Sequence, residues 1–217
     1  MKQKKIRILI ADDHFVVREG LGTIIAAQPD MELVGRAANG TEAVSLAQVL
    51  RPDVILLDLV MPQLDGLEAI QQIKQENPEA RILVLTGITN DARIFPAIKA
   101  GALGYLLKDA THDQLLQAIH DVAQGRVSLH PAIAVKVMRE LEHPPDLPPT
   151  AEPLSERELQ VLRLIARGMT NEEIAAALYL NDRTIAKYAT AIFDKLHLAN
   201  RTQAALYALR EGLADLE

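Results

Sequence analysis

Short, nearly uninterrupted apolar runs alternate with longer amphipathic stretches over the first part of the chain. Ile6–Ala11, Val54–Leu57 and Ile82–Leu85 are the clearest runs, and such runs predict parallel strands covered on both faces. Leu33-Val34 and Tyr105-Leu106-Leu107 predict two weaker strands. Between them, Val17, Leu21, Ile24 and Ile25 share one helical face, and Leu67, Ile70 and Ile73 another. Thr111-His-Asp-Gln114 has the form of a capping box ahead of Leu115, Leu116, Ile119 and Val122. Five strand–helix units of this length predict an α/β doubly wound five-stranded parallel sheet with its sites at the strand C-terminal ends.

The last part carries no strand pattern. Ser155-Glu-Arg-Glu158 and Thr170-Asn-Glu-Glu173 are two more capping boxes, separated by Gly168. Ile185, Ala189, Ile192 and Leu196 make the buried stripe of a third helix. A fourth follows Arg201-Thr202 through Leu206 and Leu209, with Gly212 as its stop. Short helices joined by short turns predict a small all-α helix-turn-helix domain.

Prolines mark the division. Pro144, Pro145, Pro148, Pro149 and Pro153 interrupt helix and central strand alike, so this stretch predicts a semi-rigid spacer. The expected organisation is a first domain over 1–128, a connecting helix and proline-rich linker over 129–152, and the helical domain over 153–217.

Composition narrows the chemistry. The 217 residues include no cysteine, which excludes disulfides, thiolate metal sites and Cys nucleophiles. No stretch of about 18 apolar residues exists, so a membrane span is not expected, and a cytoplasmic location is. The net charge of −6 means that any nucleic-acid surface must be local.

Strand ends carry the candidate site. Asp12 and Asp13 follow the first strand, Asp58 the third, Thr86 the fourth and Lys108 the fifth. Taken singly, an Asp there is most often a helix N-cap and a Lys a solvated side chain. Together they should converge, and three converging anions call for a cation. Hard oxygen ligands without a His or Cys pattern point to Mg²⁺. A metal, a carboxylate, a hydroxyl and an ammonium then form a phosphoryl-binding set, with Asp58 attacking in line.

Ile8-Leu-Ile-Ala-Asp-Asp-His14, Asp58-Leu-Val-Met-Pro-Gln-Leu-Asp-Gly66, Leu85-Thr86 and Gly101-Ala-Leu-Gly-Tyr-Leu-Leu-Lys108 resemble the receiver domain of two-component response regulators. The resemblance implies a flavodoxin-like strand order, Asp58 as phosphoacceptor, and Asp12, Asp13, Asp58 and the Val60 carbonyl as Mg²⁺ ligands. It also implies Thr86 and Tyr105 as a switch pair and a sensor histidine kinase as phosphodonor. Two enzyme readings fail on the residues. A dinucleotide or P-loop fold needs glycines where Asp12-Asp13-His14 stands, and a haloacid-dehalogenase-like phosphatase needs a second Asp where Val60 stands. With Val60 there, no polar side chain orients a hydrolytic water, and phosphate loss is not expected to be especially fast.

Leu154–Leu162, Ile165–Ala175 and Lys195–Thr202 resemble the LuxR-type DNA-binding domain of the NarL/FixJ family. The third helix departs from the family pattern. It reads Thr184-Ile-Ala-Lys-Tyr188, with Ala186 in place of the usual Lys and Lys187 beside it. Residues 151–217 hold eight Lys plus Arg against ten Asp plus Glu, so modest, salt-sensitive monomer binding is expected, and a dimer on two half-sites would offset it. Lys187 and Thr190 are the candidates for base edges; Arg183, Lys195 and Arg201 for phosphates. The expected function is a response regulator whose phosphorylated receiver controls sequence-specific binding to double-stranded DNA, with homodimer formation on phosphorylation. No enzymatic activity is expected beyond assisting its own Mg-dependent phosphorylation and dephosphorylation. The competing reading is a phospho-controlled signalling adaptor whose degenerate helix-turn-helix binds protein; a free-standing phosphohydrolase lacks a second catalytic acid.

Overall fold

The computed structural model describes residues 4–87, 93–131, 133–134 and 153–214. The chain divides into two compact units, Met1–His130 and Pro131–Glu217. In the first, strands β1 (Ile6–Ala11), β2 (Met31–Ala37), β3 (Val54–Asp58), β4 (Ile82–Thr86), β5 (Gly104–Leu107) and β6 (Ser128–Leu129) form one parallel sheet in the order β2-β1-β3-β4-β5-β6. Helices α1 (Phe15–Ala26), α2 (Gly40–Leu50), α3 (Gly66–Glu76), α4 (Ile94–Lys99) and α5 (His112–Ala123) alternate with the first five strands. The expected count of five strands falls one short. The two-residue β6 joins the edge beside Gly104 and Tyr105, and it is too short to register as an apolar run.

Two-sided burial explains the uninterrupted apolar runs. Ile8, Ile10, Val54, Leu56, Leu83, Leu85 and Leu106 enter one core with Ile25 of α1 and Leu115, Ile119 and Val122 of α5. Their neighbours Leu9, Ile55, Leu57 and Val84 take the opposite face by the two-residue period of a strand and are as deeply buried. Each such side chain stabilises the fold by about 1.5–3 kcal/mol. Along β2 only the end residues Met31 and Ala37 are buried, which is why its sequence signal is weak.

Register positions the site. Ala11 pairs with Leu57, Asp58 with Leu85 and Thr86 with Leu107. The carboxyl ends of β1, β3, β4 and β5 therefore line one edge of the sheet, where open α/β folds place their ligands.

The second unit holds α6 (Glu156–Ala166), α7 (Asn171–Leu178), α8 (Asp182–Lys195) and α9 (Arg201–Arg210). The capping boxes at Ser155 and Thr170 both form. Val161, Leu162, Ile165, Ile174, Ile185, Ile192 and Leu206 are among its buried apolar side chains, and α6 packs on both α8 and α9. Gly168 takes a left-handed φ of 75° after α6, and Tyr179 one of 55° in the turn between α7 and α8. Glycine adopts that geometry freely, whereas a tyrosine does so at a cost of about 1–2 kcal/mol. The expected connecting helix and linker over 129–152 lie mostly outside the described residues.

Candidate functional site

Asp12 and Asp13 follow β1, Asp58 and Thr86 close β3 and β4, and Lys108 follows β5. Asp12, Asp58 and Thr86 are buried. The Lys108 ammonium lies 2.7 Å from Asp12 Oδ2 and 2.7 Å from Asp58 Oδ2, so residues remote in sequence do meet in one pocket. The Lys108 N–H donates to the Thr86 carbonyl at 2.7 Å, tying the ends of β4 and β5 together. Tyr105 is fully buried within β5. Val60 stands just beyond Asp58, half-exposed, and its N–H donates to the Asp58 carboxylate.

The acids do not serve as helix caps. Asp12 accepts the His14 N–H at 2.8 Å, and His14 precedes α1 without a capping bond from its side chain. The cap of α3 is Asp65, which accepts from the Glu68 N–H. Just after that cap, a Cβ on Gly66 would lie 2.2 Å from the Asp58 carbonyl oxygen. Only glycine admits this approach of α3 to the strand that carries Asp58.

Burial raises the Asp58 pKa above its ordinary 3.8. The Lys108 hydrogen bond and charge oppose the shift, and the neighbouring Asp12 charge adds to it. For Lys108, burial opposes the charge, but the two carboxylates outweigh it and hold the ammonium above its ordinary value. The two directions agree physically, because one ammonium shared between two acids fully compensates neither. Three carboxylates against one ammonium leave the pocket negative. One oxygen from each of Asp12, Asp13 and Asp58 and one His14 ring nitrogen all lie within 4.8 Å of one another. This donor set and its surplus charge suit one divalent ion.

Two residues near the pocket carry no role in the sequence reading. His14 Nδ1 lies 2.7 Å from Asp13 Oδ1. Arg18, one helical turn further on, donates to the Asp12 carbonyl at 2.5 Å and so fixes the end of β1. The adjacency of His14 to the Asp pair was a signal; the Arg18 contact depends on the direction in which α1 leaves the strand.

In the second unit, Arg183, Lys187 and Thr190 stand exposed on α8, opposite the buried stripe of Ile185, Ala189 and Ile192. Ala186 is exposed among them. The Thr190 hydroxyl donates back to the Ala186 carbonyl at 3.1 Å, which leaves its oxygen as an acceptor. Two of the expected phosphate contacts have partners inside the helical unit. Lys195 turns inward to Glu158 Oε2 at 2.9 Å. Burial pushes the Glu158 carboxyl up, but the Ser155 amide and the Lys195 ammonium outweigh it, and its pKa falls below the ordinary value. The Arg201 guanidinium donates to the Met169 carbonyl and to Asn171 Oδ1, the latter at 2.9 Å. Burial lowers its pKa to about 10, against the opposing charge of Glu173. Both cations brace the helical unit from within.

A doubly wound sheet with an acid–lysine pocket, followed by a helix-turn-helix unit, defines a receiver joined to a DNA-binding fold. Residues 8–120 match the response regulator receiver domain, and residues 152–208 match the luxR family of bacterial regulatory proteins. The chain belongs to the response regulators that carry a luxR-type domain. It is 44% identical over 210 residues to the transcriptional regulatory protein LiaR of Bacillus subtilis, covering 97% of this chain and 100% of that one. Among solved structures, it resembles the response regulator ChrA of a heme-sensing two-component system, at 32% identity and a TM-score of 0.54, covering 96% of this chain and 98% of that one. It also resembles the response regulator RcsB in complex with DNA, at 26% identity and a TM-score of 0.58, over 95% of this chain and 98% of that one. Among the described residues no helix is long and apolar enough to cross a membrane.

Proposed function

We propose that this protein is a transcription regulator switched by phosphorylation of Asp58. The observation that carries the reading is the Lys108 ammonium held 2.7 Å from both Asp12 and Asp58 at the carboxyl edge of the sheet, in a chain whose second unit has a helix-turn-helix fold. A phosphohistidine on a sensor histidine kinase is the donor. An Asp58 oxygen attacks phosphorus, the phosphorus–nitrogen bond breaks, and the imidazole leaves with the bond's electron pair. Asp12, Asp13, Asp58 and the Val60 carbonyl would hold Mg²⁺, which when bound neutralises charge on the transferring group. Lys108 exchanges a carboxylate oxygen for a phosphoryl oxygen, and the Thr86 hydroxyl donates to another. Thr86 and Tyr105 form the switch pair that relays the new charge.

On the output side, Lys187 and Thr190 meet base edges and Arg183 a phosphate. With two of the five candidate contacts braced inward, pairing of two copies on adjacent half-sites supplies the remaining affinity. The working division is a receiver over 1–128, a connection over 129–152 and a DNA-binding domain over 153–217, acting in the cytoplasm where the DNA lies. The adaptor reading is not favoured, because the family match and the exposed Arg183–Lys187–Thr190 face both favour DNA.

The test loads the full chain with a small acyl-phosphate donor and Mg²⁺, then compares DNA selection and sedimentation with those of Asp58→Ala. Phosphate-dependent DNA selection lost in the variant is the expected result. Phosphate-dependent assembly with no DNA selected would return the adaptor reading.

A further inference from the structure

We propose that His14 is a nitrogen ligand of the same pocket, so that the site takes borderline transition ions such as Ni²⁺ with an affinity that its oxygens alone do not provide. The proposal rests on the reading of Asp12, Asp13 and Asp58 as cation ligands. Its basis is placement. The Nδ1 atom of His14 lies 2.7 Å from Asp13 Oδ1 and 3.4 Å from Asp12 Oδ1, and a ring nitrogen shares the 4.8 Å grouping with all three carboxylates.

The main chain holds the residue there. Its N–H is bonded to Asp12 Oδ1 at 2.8 Å, and the Asp12 carbonyl is in turn held by Arg18 at 2.5 Å. The side chain has no capping duty at the start of α1 and is 64% exposed, so the ring stands at the mouth of the pocket, against Asp13, while its backbone stays fixed.

Chemistry then sets the consequence. Mg²⁺ is a hard ion that prefers oxygen and keeps its waters. Imidazole suits Ni²⁺, Zn²⁺ and Cu²⁺, whose affinities for mixed nitrogen and oxygen sites exceed those of lighter divalent ions. Three carboxylates suit a hard ion such as Mg²⁺; one added imidazole tilts the site toward the borderline ones. Among the described residues no other histidine enters the grouping, and His120 is already bonded to Asp30.

Calorimetric titration of the full chain with Ni²⁺ alone, with Mg²⁺ alone, and with Ni²⁺ in the presence of Mg²⁺ tests this at one fixed pH. The proteins are the wild type, His14→Ala and His14→Gln, each checked for unchanged amide-exchange protection in β1. The expected result is that Mg²⁺ displaces Ni²⁺ from the wild type, and that both variants lose about tenfold or more in Ni²⁺ affinity while Mg²⁺ affinity holds. Three outcomes overturn it: Ni²⁺ affinity unchanged in both variants, equal loss for both ions, or Ni²⁺ binding that Mg²⁺ binds without displacing. If the wild type takes up no Mg²⁺ at all, the acidic-pocket reading fails first and the His14 role falls with it.

Discussion

Replacing Lys108 by methionine isolates the charge at the centre of the pocket, because methionine keeps the apolar stem and removes the ammonium. Asp12 and Asp58, at 1% and 4% side-chain exposure, then face each other without compensation. Breaking a buried ion pair by deleting one partner costs about 3–5 kcal/mol. The Lys108 side chain keeps 21% of its surface in solvent, so the lower end applies, about 3 kcal/mol in buffer free of divalent ions. That is roughly a hundredfold more opening of the receiver sheet. Native-state amide exchange in β1, β3 and β5 reads it without interference from the second unit. Adding Asp58→Asn removes one of the stranded charges and should restore about half of the loss. The pH dependence has a definite sign. The folded pKa of Asp58 lies above 3.8, so stability linked to this group is greatest below 3.8 and falls as pH rises through the raised value. Lys108→Met should therefore be least damaging in acid. A loss under about 0.5 kcal/mol, or one that Asp58→Asn does not relieve, would make Lys108 an ordinary solvated lysine and refute the reasoning.

Three further outcomes are expected. Val60→Asn places an amide beside the phosphorylated Asp58 and should speed acyl-phosphate decay; equal decay curves for the two proteins would remove any role for Val60 in retaining phosphate. The His120–Asp30 hydrogen bond at 2.7 Å lowers the Asp30 pKa, so its contribution is present above pH 3.8 and is lost as pH falls through the folded value; urea midpoints of His120→Ala and wild type should differ at neutral pH and merge in acid. Lys187→Ala should weaken specific DNA binding by about 1–3 kcal/mol with thermal stability unchanged, whereas Arg201→Ala should lower the stability of the helical unit, and the reverse pattern would exchange their roles.

Much of this architecture was legible because local rules and tertiary burial agree. β1, β3 and β4 are buried on both faces and read as apolar runs, and the boxes at Thr111, Ser155 and Thr170 declare helix starts through three-residue spacing. Convergence of Asp12, Asp58 and Lys108 follows from parallel strands ending at one edge. What escaped depends on reach. Lys195 and Arg201 meet partners about 30 to 37 residues away, and no periodicity shows whether a long cation bends inward or faces solvent. His14 and Arg18 owe their positions to the angle at which α1 departs, and β6 is too short to leave a pattern.

The glycine pressed against the strand that carries Asp58 has a mechanical consequence. A Cβ at Gly66 would overlap the Asp58 carbonyl oxygen and the Leu59 Cα, so main chain abuts main chain there with no slack. Were Asp58 phosphorylated as proposed, its backbone would have no room to recoil in that direction. On this reading the added bulk would press instead on side chains at the open edge of the sheet, such as Thr86 and Lys108. A close-packed wall on one side would thus give a chemical event at Asp58 a direction.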